Sequence, residues 1–274
     1  MPPPAGPLPA DEVLLQALKQ RRFVPYFEPK VSAETGRVAG FEVLARLSLD
    51  DGQMVSPSLF VPRLEALGQI DDLSLQLLDR ALAALRGWLR LRPTLGIALN
   101  VSAESLVQPR VAAGLLAVTR AHEVSPERVV LEITESTPLA ALSEGLESLV
   151  RLRAAGFQLA IDDFGTGHSS GEQLSRAPFT QLKIDQSFTR HAADNEEARI
   201  MFRSCMVVAR KFGLRVCAEG VDSPRTLRFA CDQGVHELQG WLISAAMPAL
   251  AVPAFLDSFE REDRIREWYA AGKT

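Results

Sequence analysis

Residues 23–47 read FVPYFEPKV, SAETGR and VAGFEVLARL in succession: two apolar runs of strand length, Phe23–Val31 and Val38–Leu47, joined only by Ser32–Arg37. A parallel crossover needs a dozen residues or more, so this short connection, with Thr35-Gly36 inside it, predicts an antiparallel hairpin. Six further strand-length runs follow: Leu95–Val101, Arg128–Thr134, Phe157–Asp163, Phe179–Asp185, Leu214–Gly220 and Leu238–Ile243. Helical patterns lie between most of them. Leu73, Leu77, Leu78, Ala81, Leu85 and Trp88 recur at helical spacing. Thr137-Pro138 and Ser223-Pro224 each read as an N-cap followed by proline at the first helical position. Gly156 and Gly213 stand where a helix C-terminus favours a residue tolerating φ > 0. Strand and helix in alternation argue for an α/β protein, and eight strands for a TIM-like (βα)8 barrel with an antiparallel first strand. The alternative is an open doubly wound sheet, which eight strands fit less well than closure.

The rest of the composition sets limits. The chain has 274 residues, 30 Lys+Arg against 34 Asp+Glu (30 − 34 = −4), and 47% hydrophobic residues. A net acidic chain lacks the electrostatic footprint of a DNA- or RNA-polymer binder. This much apolar content also excludes a disordered chain. Three cysteines, Cys205, Cys217 and Cys231, are too few and too late in the chain for a disulfide scaffold, and fit a reducing compartment. No uncharged apolar run approaches membrane-spanning length, and MPPPAGPLPA has no basic region followed by an apolar core. A cytoplasmic protein is expected, with no membrane partner. Residues 1–10 hold five prolines and one glycine. We therefore expect a flexible tail over 1–15, one domain over 16–260, and a C-terminal helix or tail over 261–274.

Polar residues collect inside or at the ends of the apolar runs. Glu42 lies in GFEVLAR, Asn100 in IALNVS, Glu132 and Glu135 in LEITES, and Asp162 and Asp163 in LAIDD. Lys183 and Asp185 lie in LKID, Glu219 ends VCAEG, and Gln239 begins QGWL. In a barrel, strand C-termini converge on one mouth, where catalytic residues gather. Any one buried acid reads equally well as an ion-pair partner; the set does not. Glu42, Glu132, Asp162, Asp163 and Glu219 would crowd together with few basic residues, and such carboxylates repel unless cations are present. Oxygen donors without supporting Cys or His suit Mg²⁺ or Mn²⁺ rather than Zn²⁺. Adjacent acids in Asp162-Asp163 allow one to bridge two ions, a geometry that serves phosphoryl transfer. Lys183 reads as a group that holds water, or as a structural salt bridge to Asp185 or Glu219. Arg46 shares a strand face with Glu42 and Leu44 and can point at a phosphate. The four histidines have no metal-ligand spacing, and neither a Gly-x-Ser-x-Gly elbow nor a Walker loop is present.

GFEVLAR, ALNVS, LEITES, DDFGTGHSS, LKIDQSF, AEGVDS and ELQGW, in this order, resemble the EAL-domain phosphodiesterases that hydrolyse cyclic di-GMP. The resemblance spans about residues 20–250. It implies an irregular barrel, two Mg²⁺ or Mn²⁺ ions per site, linear pGpG as product, and a homodimer. Carried over residue by residue, it implies that Glu42, Asn100, Glu132 and Asp162 hold metal and that Asp163 serves the second ion. Lys183 and Glu219 would position and activate water, Gln239 would orient a water or metal-bound group, and Glu135 would anchor the DDFGTG loop. Substrate contacts fall to Glu28, Leu44, Arg46, Asp185 and Asp222. The sequence departs from the family pattern in places. Val43 replaces alanine in the signature triplet, Glu28 replaces the usual glutamine beside Pro29, and Asp222 replaces a glutamate. His168 and Gly171 follow the glycine loop in place of tyrosine and leucine, and Ala245-Ala246 replaces a basic residue and proline. None removes a principal metal ligand or Lys183. The alternative from a different class is a non-catalytic cyclic di-GMP receptor that passes a signal to a partner.

Overall fold

The hairpin read from residues 23–47 is the seam of the structure, a computed structural model that describes residues 8–49, 54–135, 139–166 and 174–273. Strand β1 (Phe23–Ser32) pairs antiparallel with β2 (Val38–Ser48), Glu28 opposite Glu42 and Lys30 opposite Gly40. Gly36 makes the connection with φ +69°, a conformation costly for other residues. A short β3 (Met54–Val55) lies against the end of β2. From β2 the sheet runs parallel through β4 (Gly96–Asn100), β5 (Val129–Thr134), β6 (Gln158–Phe164), β7 (Gln181–Ile184), β8 (Arg215–Ala218) and β9 (Glu237–Gln239). β9 then pairs antiparallel with β1, Gln239 opposite Lys30, and an eight-strand ring closes. The open-sheet alternative is thereby set aside.

Helices cover the outside of the ring. The helix Ile70–Leu91 buries Leu73, Leu77, Leu78, Ala81 and Leu85 of the expected stripe against it, adds Leu82 and Leu89, and leaves Trp88 half-buried. Ser223 caps the helix Pro224–Gln233, its hydroxyl accepting from the Thr226 amide, and Gly213 ends Glu196–Phe212 with φ +66°. Thr137-Pro138 lies outside the described residues.

Three details differ from the sequence reading. The strand expected over Leu238–Ile243 stops at Gln239, because Gly240 turns with φ +150° and packs so closely that a Cβ there would lie 2.3 Å from the Val221 amide nitrogen. Two-residue strands, β3 and β10 (Met247–Pro248), carry no periodicity and went unread. The helix Asp11–Lys19 begins inside the segment expected to be tail, and Leu14, Ala17 and Leu18 are buried in the core. Among the described residues no helix is long and apolar enough to cross a membrane.

Candidate active site

Strand alternation turns every second side chain of the ring inward. On β2 these are Gly40, Glu42 and Leu44, while Phe41 and Val43 pack into the outer core. The same rule sends Asn100, Glu132, Asp162, Lys183, Glu219 and Gln239 to the mouth from six other positions around the ring. Lys183 stands at their centre, 1% exposed. Its Nζ donates to Glu42 Oε2 at 3.3 Å, Glu132 Oε2 at 3.0 Å and Asp162 Oδ2 at 3.1 Å. Glu219 Oε1 is closer still, at 2.8 Å. Asp185, the other salt-bridge partner considered from sequence, is not among its partners; its carboxylate caps the helix Gln186–His191 by accepting from the Ser187 amide. Burial opposes charge on Lys183, but Asp162, Glu132, Glu219 and Glu42 together outweigh it and hold the ammonium protonated.

The carboxylates differ among themselves. Glu42 accepts from Asn100 Nδ2 at 2.8 Å and from Gln239 Nε2 at 2.7 Å. Burial pushes its pKa up, yet Lys183 and the Gln239 bond overcome that and hold it down to about 2. Glu219, with less support, is driven well above the usual carboxylate range by burial. Glu28 faces Glu42 across the hairpin and is pushed up to about 7, by burial first and by the Glu42 charge second.

Asp162 and Asp163 pose a geometric problem, because neighbours on a regular strand face opposite ways. The β6–β7 register breaks between Ile161 and Phe164, and Asp163 adopts φ +54°. That left-handed residue makes a bulge which brings both acids to the mouth. The Asp163 amide donates to Asp162 Oδ1 at 2.9 Å, a bond that the turn permits. Ligand oxygens of Asp162, Asp163 and Glu219 lie within 4.8 Å of one another, an acidic cluster of the kind that holds a metal ion. Burial, Asp162 and Asp185 push Asp163 up to about 6.

The model of the EAL domain matches residues 11–246. This chain belongs to the EAL domain family. Over 237 residues it is 33% identical to the bifunctional diguanylate cyclase/cyclic di-GMP phosphodiesterase MucR of Pseudomonas aeruginosa, covering 86% of this chain and 35% of that protein. Over 241 residues it is 32% identical to the cyclic di-GMP phosphodiesterase RocR of the same organism, covering 88% of this chain and 62% of RocR. The chain thus spans less than two thirds of these curated relatives. The solved structure of the MucR phosphodiesterase in complex with c-di-GMP superposes with a TM-score of 0.82 at 32% identity, covering 88% of this chain and 98% of that one.

The remaining EAL positions fall around the cluster. Glu135 is buried beyond the end of β5, and its Oε2 accepts from the Gly165 amide at 2.8 Å, joining β5 to the turn after β6. Gly165 has φ +103°, and a Cβ there would meet Phe188 at 2.7 Å. Leu44 lines a cavity of about 730 Å³ that opens beside Asn100 and Asp163 and continues past Pro57, Val61 and Ile70. Arg46, within range of the Glu28 and Glu42 charges, has its guanidinium 5.5 Å from the Tyr26 ring centroid and bonded to the Ala45 carbonyl at 2.9 Å. Asp222 is at the rim, accepting from Thr226 Oγ1 at 3.2 Å and 4.0 Å from Arg190. His168 and Gly171 lie outside the described residues. The sequence reading missed Lys30, which is 4% exposed and donates to Glu132 Oε1 at 3.0 Å. Its signal was available, since Lys30 stands two residues from Glu28 on the same strand face.

Proposed function

We propose that this EAL domain is a metal-dependent phosphodiesterase that hydrolyses cyclic di-GMP to linear pGpG in the cytoplasm. The observation that carries the reading is Lys183, buried and within hydrogen-bond reach of four carboxylates, three from strands and Glu219 from the residue after β8. The donor set fits hard cations: it is oxygen only, and Gln239 Oε1 is a buried acceptor with no hydrogen-bond partner. Glu42, Asn100, Glu132 and Asp162 would hold one ion, and Asp163 would serve the second. Two Mg²⁺ or Mn²⁺ ions supply, when bound, charge stabilisation at the phosphate and a more acidic water.

The chain's own residues do the rest. Lys183 and Glu219, 2.8 Å apart, form a donor–acceptor pair. Lys183 holds the attacking water and offsets charge growing on the phosphate. Glu219, its carboxylate paired with that ammonium, accepts the proton that water releases. The water oxygen bonds to phosphorus as one P–O bond to a ribose 3′-oxygen breaks, Glu219 returns the proton it took to that oxygen, and the ring opens. Gln239 and Asn100 fix the Glu42 carboxylate, and Glu135 holds the turn that carries Asp163. Leu44, Arg46, Glu28, Asp185 and Asp222 are the proposed substrate contacts, with the cavity beside Leu44 offering room for an apolar base face. A second copy of the chain is proposed to cover the helix Glu196–Phe212, which exposes Ile200, Met201 and Val207.

The test is conversion of cyclic di-GMP to pGpG by purified protein in Mg²⁺ or Mn²⁺. Turnover supports the enzyme. Binding without turnover in either metal supports the receptor reading instead.

A further inference from the structure

The chain prefers arginine so strongly that only five of its 30 basic residues are lysines. Lys19, Lys211 and Lys273 are exposed; the other two, Lys30 and Lys183, lie inside the barrel. Lys183 belongs to the chemistry above. Lys30 does not reach the mouth, because on the antiparallel β1 it sits level with Gly40, one layer deeper than the Glu28–Glu42 pair. From there it crosses the ring, since β2 and β4 stand between β1 and β5. The floor it crosses is made of small apolar side chains, with Ala98, Val130 and Ala160 forming a buried cluster of their own and Gly40 opposite Lys30. Such a slot admits a slim alkyl stem with a point charge, and not a planar guanidinium fork.

A lysine buried in an apolar floor costs solvation, and hydrophobic replacements of buried ion pairs are often neutral or stabilising, so stability gives no reason for it. Its effect on Glu132 is specific. Lys30 takes Oε1 at 3.0 Å while Lys183 takes Oε2 at 3.0 Å, one ammonium to each oxygen. One oxygen is tied to the floor, and the other is left at the mouth.

We infer that Lys30 is a positioning residue that locks the Glu132 carboxylate so that only Oε2 is offered to the metal ion. The inference rests on the metal-dependent reading of the site. Partners that orient a metal ligand typically contribute 10–100-fold to metal affinity or activity, and this is the loss expected in Mn²⁺ binding for Lys30→Met. The direction is informative. A mere counter-charge, once removed, leaves the site more negative and tightens Mn²⁺ binding, whereas loss of an anchor weakens it.

The experiment measures free Mn²⁺ by electron paramagnetic resonance in titrations of the parent, Lys30→Met, Glu132→Gln and the double variant, with melting curves on the same preparations. The expected result is weaker binding in Lys30→Met and no further loss when it is added to Glu132→Gln, with kcat for cyclic di-GMP lowered and KM unchanged. Lys30→Gln, which keeps a donor, replaces Lys30→Met if the latter does not fold, and should weaken Mn²⁺ binding in the same direction. Unchanged or tighter Mn²⁺ binding, or losses that multiply in the double variant, overturn the role of Lys30. A parent that binds no Mn²⁺ overturns the metal reading itself, and this inference with it.

Discussion

β5 and β6 are neighbouring parallel strands that both end in acids, and they deliver them by different means. β5 is regular: its register with β6 runs unbroken from Val130 to Thr134, Glu132 faces inward and Ile133 outward. One acid per strand end comes with alternation at no backbone cost. β6 breaks its register after Ile161 and places Asp163 at φ +54°. For a residue other than glycine that region costs roughly 1–2 kcal/mol, less for Asp or Asn, whose short side chains can bond locally. Two adjacent acids at one mouth therefore demand strain, and strain of this kind persists where surrounding structure over-determines it. The Glu135–Gly165 bond, from the end of the regular strand to the turn after the broken one, is part of that support.

The largest expected effect lies where both strands converge. Lys183 binds Glu132 of β5 and Asp162 of β6. Lys183→Met is expected to lower kcat by roughly 10²–10³, the scale for one electrostatic donor at a developing charge. Cyclic di-GMP affinity, measured in Ca²⁺, should change little, because an ammonium carries no lone pair with which to bind metal. A variant that melts early yet turns over at the parental rate would make Lys183 a structural strut and dissolve the link between the two strands.

Cutting the brace is the next step down. Glu135→Ala removes the acceptor from the Gly165 amide without touching the acids around Lys183. We expect kcat to fall about 10–100-fold, in the range for residues that orient ligands, with Glu135→Gln recovering part of the loss because it keeps an acceptor. Steady-state kinetics in saturating Mg²⁺ decide it; parental kcat in Glu135→Ala would mean that the bulge holds itself.

The contrast between the strands also explains what could be read in advance. The ring and its antiparallel seam followed from a connection too short for a crossover, and Glu42, Asn100, Glu132, Lys183 and Glu219 from polar residues interrupting apolar runs. Those signals are local and periodic. The bulge is neither: Asp162-Asp163 announces two acids but not the register break that lets them share a face. Asp185 reads as an inward partner of Lys183 by alternation, yet β7 ends at Ile184 and the carboxylate turns to cap a helix. Alternation puts Lys30 on the inner face with Glu28, but not its partner, which lies on β5, 102 residues away in sequence and three steps around the ring.

Glu28 tests the seam strand against the regular ones through pH. Its pKa is raised to about 7 from an ordinary 4.5, so the folded state keeps a proton that the unfolded chain releases. Stability from this group accordingly falls as pH rises from about 4.5 to about 7 and is flat above. Glu28→Gln, which restores the amide common in the family, removes the slope. Melting in EDTA should show little advantage for the variant near pH 5 and a gain of about 1–3 kcal/mol at pH 8. A gap that stays constant with pH would mean that Glu28 titrates normally.

The smallest effect addresses the difference between β5 and β6 most directly, since it asks only for a change of sign. At Asp163 a glycine meets no penalty for φ +54°, whereas an alanine pays for its Cβ. Asp163→Gly should therefore be more stable than Asp163→Ala by about 1 kcal/mol, both having lost the same carboxylate. Thr134 on β5 is the counterpart, paired with Asp162 in the unbroken part of the ladder and absent from the positive-φ residues. There the order reverses, and Thr134→Gly should be less stable than Thr134→Ala by roughly 0.5–1 kcal/mol through the entropy of the unfolded chain. Urea unfolding of the four metal-free variants gives both differences on one scale. If Asp163→Ala equals or exceeds Asp163→Gly, the left-handed turn is not what brings the second acid to the mouth. The two strands would then deliver their acids by the same rule.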